Sequence, residues 1–245
     1  MAGFLGRLFR GGKPAPPIES PKPPRTASAP CPHCGALITP APQRSRKCPS
    51  CTAQVLVRTK DGKKLVLTEE QAKAVDTERE KRASRNAAFR FAQNIGVSEA
   101  EFAREEATLL KKDRRYSPRD VFWSLANSRI LTEAKKGNHR GLSNIYWQQA
   151  RLLFEEGRDH FHLLQEAARH ELLGLKQMNP TLIRYVTILA DDCPECKKFQ
   201  KKKYSIDEAL KQMPIPVKSC THGLDEGEKG RRSGWCCCMY SSSRT

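Results

Sequence analysis

The chain has 245 residues, of which 38% are hydrophobic and 29% charged, and a formal net charge of +17. No apolar run approaches the roughly 18 residues a membrane span needs, which excludes a transmembrane helix. The positive charge invites a nucleic-acid partner, but it is uneven. Residues 1–30 carry 5 basic and 1 acidic side chains and residues 31–68 carry 7 and 1, whereas residues 69–120 carry 12 and 11.

Residues 1–30, with Gly11-Gly12, Pro14, Pro16-Pro17 and three prolines between Pro21 and Pro24, have too little apolar material for a core and read as a disordered basic tail. Phe4, Leu5, Leu8 and Phe9 would line one face of a two-turn helix beside Arg7 and Arg10, but so short a helix is marginal in water. No apolar stretch of the secretory kind follows the opening residues, so a cytoplasmic setting is expected. There, close cysteine pairs bind metal more often than they form bridges.

Residues 31–68 hold Cys31-Pro-His-Cys34 and Cys48-Pro-Ser-Cys51. Each tight turn aims two thiolates at one point, and two facing turns complete a tetrahedron of soft ligands, which suits one structural zinc ion. After them Val55-Leu56-Val57 and Leu65-Val66-Leu67 flank Asp61-Gly62, a strong hairpin signal because glycine accepts the positive φ of so tight a turn. The two knuckles and the hairpin resemble the zinc-ribbon family, which implies fold and metal but no single function. Cys-Pro-His-Cys also looks like a thioredoxin-type redox pair. That chemistry needs a strand before the pair and a helix after it, and here a proline-rich segment precedes. His33 is expected to be an exposed knuckle residue. Arg44, Arg46, Lys47, Arg58, Lys60, Lys63 and Lys64 form a basic set able to contact DNA or RNA phosphates. Residues 31–68 contain no Phe, Tyr or Trp, and so no stacking platform for bases.

Thr68 with Gln71, Ser98 with Glu101, and Ser117-Pro118-Arg119-Asp120 are helix starts. They predict linking helices over residues 69–116 and a bundle over 117–180. Phe122, Leu125, Ala126 and Ile130 face the core from one helix, Leu142, Ile145, Tyr146, Gln149 and Leu153 from the next. Asp159 caps a third, with Phe161, Leu164, Ala168, Leu172 and Leu175 on its face. Phe122, Trp123, Tyr146 and Trp147 supply the core and a rim, with a peptide groove between helices as the alternative. His170-Glu171-Leu-Leu-Gly174 departs from the metalloprotease helix pattern, since Gly174 stands where the second histidine belongs.

Residues 181–245 form the last region. β-Branched alternation through Ile183–Leu189 predicts a strand leading into Cys193-Pro-Glu-Cys196. Ser205 with Glu208 caps a short helix, and Pro214 and Pro216 turn the chain toward Cys220. A second zinc is expected on Cys193, Cys196, Cys220 and one of Cys236 and Cys238, which share a face of an extended segment while Cys237 points away. His222 competes as fourth ligand. Free thiols or palmitoylation sites at Cys236–Cys238 are the alternative to ligands. The order strand, C-x-x-C, short helix, Pro-rich turn, Cys and Cys-x-Cys is similar to the C-terminal motif of phage minor head-morphogenesis proteins, except that Cys237 stands where that motif has arginine.

These readings predict an α+β protein with an N-terminal zinc ribbon, a helical middle and a small C-terminal zinc module. The expected function is a non-enzymatic scaffold or adaptor for a protein partner. A ribbon that contacts nucleic acid is the competing function. The expected cofactor is zinc, one ion in each cysteine module.

Overall fold

The structure, a computed structural model, describes residues 27–178, 185–190, 193–200, 202–225 and 231–243. Most of the predicted tail, the predicted helix stop at Asn179-Pro180 and the start of the strand expected from Thr181 lie outside these residues. The chain is an α+β protein that divides into two units, residues 1–79 and 80–245.

The first unit is built on two knuckles with matching backbone bonds. The Cys31 N–H donates to the Ala36 carbonyl at 2.9 Å, and the Cys48 N–H donates to the Ala53 carbonyl at 2.9 Å. Short strands β1 (Ala29–Pro30) and β2 (Leu37–Ile38) flank the first knuckle, while β3 (Arg46–Lys47) and β4 (Gln54–Lys60) flank the second. β4 then pairs antiparallel with β5 (Lys63–Leu67), with Lys60 opposite Lys63. The turn is the predicted Asp61-Gly62 pair, at φ 48° and 77°, the left-handed conformation that a two-residue hairpin requires. Thr68 and Gln71 make the expected reciprocal cap at the start of α1 (Glu69–Asn94), at 3.0 and 3.2 Å.

In the second unit the end of α1, α2 (Glu99–Lys112), α3 (Pro118–Lys135) and α4 (His139–Glu155) enclose one apolar core. Phe102, Phe122, Leu125, Ala126 and Ile145 lie in it, as the helical spacing predicts. Ser98 caps α2, Asn138 caps α4, and the Asp159 carboxylate accepts the Phe161 N–H at the start of α5 (Phe161–Met178). A second cluster joins α4 and α5 to Trp235, which is fully buried.

The C-terminal residues form a three-stranded antiparallel sheet in the order β10–β6–β7, from β6 (Tyr185–Leu189), β7 (Lys203–Ser205) and β10 (Met239–Ser243). Val186 and Ile188 of β6 point into a core with Leu172 of α5, Ala209 of α7 (Ile206–Gln212), Ile215 and Tyr240. A four-residue helix α6 (Pro194–Lys197) carries the third knuckle, and β8 (Gly223–Asp225) pairs with β9 (Arg231–Ser233). Among the described residues, no helix is long and apolar enough to cross a membrane.

Candidate metal centres

In the ribbon, each knuckle holds its sulfurs on the inside of a turn closed by backbone bonds. The two turns face each other, with Cys31 Sγ 3.8 Å from Cys51 Sγ and Cys34 Sγ 3.9 Å from Cys48 Sγ. All four sulfurs lie within 4.8 Å of one another. Zinc–sulfur bonds of about 2.3 Å at tetrahedral angles demand edges of about 3.8 Å, so the donor set fits such an ion. The electrostatics agree. The Cys51 N–H, and the Ser50 N–H at 3.4 Å, help hold the Cys48 thiol down to about 6 against burial. The Cys51 thiol is favoured as thiolate by the Ala53 N–H, yet Cys34, burial and the other sulfurs push it up to about 12. Without a cation the cluster cannot carry the charge of four thiolates. His33 turns out of the cluster and its Nε2 meets the Gln54 carbonyl at 3.0 Å, in keeping with its expected place outside the ligand set.

The second centre gathers residues from three places in the chain. Cys193 and Cys196 come from α6, Cys220 from the segment after α7, and Cys236 and Cys238 from the approach to β10. Cys196 Sγ is 3.6 Å from Cys220 Sγ and 3.9 Å from Cys236 Sγ. Burial raises the Cys193 thiol, but the Thr221 hydroxyl at 3.6 Å and its N–H at 3.4 Å outweigh this and bring it down to about 6. A bond from the Cys238 thiol, with the Val217 N–H at 3.3 Å, brings Cys236 down to about 5 despite burial. Burial pushes Cys220 up to about 12 and also raises Cys196. Cys238, which donates to the Cys236 thiolate, is raised. Of the two ligands left open by the sequence, Cys236 is 4% exposed and Cys238 half-buried. So deep a Cys236 is a poor substrate for an acyl transferase working at a membrane surface. His222, the competing donor, is not among the ligand atoms gathered there.

The basic set on the ribbon is less available than its sequence count. Arg58 Nε bonds both Asp76 oxygens at 2.9 Å, and Lys60 Nζ meets Glu78 at 2.7 Å. Lys64 donates to the amide oxygen of Gln43 and meets no carboxylate among the described residues. Arg44, Arg46, Lys47 and Lys63 are exposed.

Beside the second centre the structure brings together groups that lie far apart in the sequence. A cavity of about 850 Å3 opens between α4 and α5, with Trp147, Leu175, Met178, Met239, Glu171 and the Cys236–Cys238 run in its lining. Burial pushes the Glu171 carboxyl up to about 7, although the Tyr240 N–H bonds it. His170, adjacent in sequence, meets His139 of α4 at 3.0 Å between Nδ1 atoms and stacks on Tyr146 at 5.5 Å between ring centres. His170 and Glu171 were visible only as an incomplete protease pattern, because His139 lies 31 positions away. No family model, no curated protein and no solved structure matches the chain.

Proposed function

We propose that the protein is a zinc-stabilised scaffold that binds a protein partner and does no covalent chemistry. The observation that carries this reading is the cavity between α4 and α5 with its exposed apolar rim. Met178 is 74% exposed and Met239 55% exposed, and both line it along with Trp147, Leu164 and Leu175. Exposed methionine beside the half-buried Trp147 suits an apolar peptide, since the thioether adapts to varied shapes. Zinc in the second cysteine module fixes the backbone of Cys236–Cys238, which line this surface, and a reducing, cytoplasmic compartment keeps the thiols available to it. The competing function, nucleic-acid binding by the ribbon, loses support because Asp76 and Glu78 engage two of its seven cations.

A photo-crosslinking residue placed at Met178 in the full chain tests this in native lysate, with the same probe at Arg44 as the comparison. The adaptor reading expects nuclease-resistant protein adducts from position 178 that vary little with salt. Nucleic-acid adducts from position 44, together with a steep loss of DNA affinity as salt rises, would replace it with the competing reading.

A further inference from the structure

The five sulfurs of the second centre gather differently from the ribbon's four. In the ribbon, all the sulfurs lie within 4.8 Å of one another; in the second centre Cys193, Cys196 and Cys220 form one such group, and Cys196, Cys236 and Cys238 form another. One tetrahedral ion needs six sulfur–sulfur edges of about 3.8 Å. Neither Cys236 nor Cys238 joins the first group as its fourth member, so the described arrangement is two triads with a shared corner.

We propose that this centre holds two divalent d10 ions, zinc by preference, bridged by the Cys196 thiolate. One ion takes Cys193, Cys196 and Cys220, and the other takes Cys196, Cys236 and Cys238. Cys196 lies 3.6 Å from Cys220 and 3.9 Å from Cys236, so it supplies an edge of tetrahedral length to each triad.

The surroundings of the sulfurs agree with these roles. Cys193 and Cys236, at the outer ends of the triads, each accept a backbone N–H, from Thr221 and Val217. Cys196 is fully buried, and among the described residues its sulfur accepts no backbone N–H. A buried thiolate without such donors needs other compensation, and two metal bonds provide it.

Charge favours the same arrangement. Five thiolates with two dications leave a net charge of −1. A single ion on four thiolates leaves −2 and strands the fifth sulfur as an unligated thiol. Burial penalises the larger charge more. Each ion then has three sulfurs from the chain, and its fourth position is filled from outside the five cysteines. For the Cys236 and Cys238 ion the approach runs through the cavity between α4 and α5, which both residues line. Cys237 belongs to neither triad and packs against the Trp235 cluster.

Metal counting on the full-length protein tests the bridge. The protein is loaded with zinc under reductant, desalted and weighed by native mass spectrometry. Three ions per chain are expected, falling to two in both Cys238→Ser and Cys34→Ser and unchanged in Cys237→Ser. Because a serine variant can misfold, the wild-type protein is also loaded with cadmium-113. Its spectrum should show three resonances, two of them split by cadmium–cadmium coupling through one sulfur and the ribbon's unsplit. Two ions per wild-type chain, or three resonances with no splitting, would overturn the proposal.

Discussion

The ribbon's buried core consists of Cys31, Ile38, Cys48 and Val55, so half of it is ligand. Beside the second centre, Leu172, Val186, Ile188, Tyr204, Ile206, Ala209, Ile215 and Tyr240 form a buried core with no cysteine among them, although Cys238 packs against its edge. The two modules use similar knuckles, but they depend on metal to different degrees. A fold whose small buried interior is half cysteine has little left when the ion leaves. A fold with a sheet packed on a helix keeps its hydrophobic contribution and loses mainly the geometry around the sulfurs.

The largest effect should therefore come from metal removal, and it should be unequal. Excess chelator, or Cys34→Ser, is expected to collapse the amide signals of residues 29–67 while those of Val186, Ile188 and Leu172 stay dispersed. Equal loss in both modules would mean that the second core depends on its ions as fully as the ribbon does. If residues 29–67 remain dispersed in chelator, the structural role of the first centre is lost.

The next effect probes how the second centre is tied to the helices. Trp235 precedes Cys236, is fully buried, and packs on Trp147 and Phe154 at ring distances of 5.3 and 5.4 Å. Trp235→Ala should cost about 3–5 kcal/mol, the usual range for a large buried aromatic. Trp235→Phe should cost much less. The indole Nε1 is buried without a hydrogen-bond partner among the described residues, so its removal relieves a desolvation penalty. Urea denaturation of the second unit measures both. A Phe variant as unstable as the Ala variant would show that the indole nitrogen has a partner such as an ordered water.

A third test separates the two units by pH. In the first, the Arg58 guanidinium holds the Asp76 carboxyl below its ordinary range, so that contribution to stability is present near neutrality and fades as pH falls through the lowered value. In the second, burial raises Glu171 to about 7 from an ordinary 4.5. The folded form then holds the proton more tightly, so its contribution is complete below pH 4.5 and is lost as pH rises through 7. Glu171→Gln keeps the shape and removes the charge. It should match the wild type at pH 5 and exceed it by about 2 kcal/mol at pH 8, after allowance for the part of the side chain that water still reaches. A variant curve parallel to the wild type across that range would show that the carboxyl is well solvated.

Legibility in the sequence followed the range over which each feature is determined. The Asp61-Gly62 turn, the caps at Thr68, Ser98 and Ser205 and the ribbon's two knuckles are fixed within a few residues of themselves, and all are formed. The second centre was legible in its membership but not its grouping. Which sulfur pairs with which depends on how the loop after α7 and the approach to β10 meet α6, a three-way contact that no local spacing encodes. Glu171 and the His139–His170 pair were out of reach for the same reason. An H-E pair on a helix says nothing of the neighbour across the groove until α4 is placed beside it. The charge of the ribbon misled in the other direction, because Arg58 and Lys60 meet carboxylates from α1, which the composition of residues 31–68 alone does not show.

The smallest effect compares the ribbon's two knuckles. The residue four places after each leading cysteine takes a positive φ: Gly35 at 75° and Thr52 at 60°. The backbone bond is the same in both, from the Gly35 N–H to the Cys31 carbonyl and from the Thr52 N–H to the Cys48 carbonyl, each at 2.9 Å. Glycine takes this conformation without a clash, whereas a β-branched side chain is strained there by about 1–3 kcal/mol. The Thr52 hydroxyl recovers part of that through a 2.7 Å bond to the Cys51 carbonyl. Glycine also loses more chain entropy on folding, by about 0.5–1 kcal/mol. Thr52→Gly should therefore tighten metal binding by the ribbon, but by no more than about 1 kcal/mol. Gly35→Thr should weaken it by about 1–3 kcal/mol, through the backbone alone, because no heavy atom lies within 4 Å of a Cβ placed there. Competition with a chelating dye reads both changes. Weaker binding in Thr52→Gly would mean that the hydroxyl bond outweighs the strain and that the second knuckle is set by its threonine.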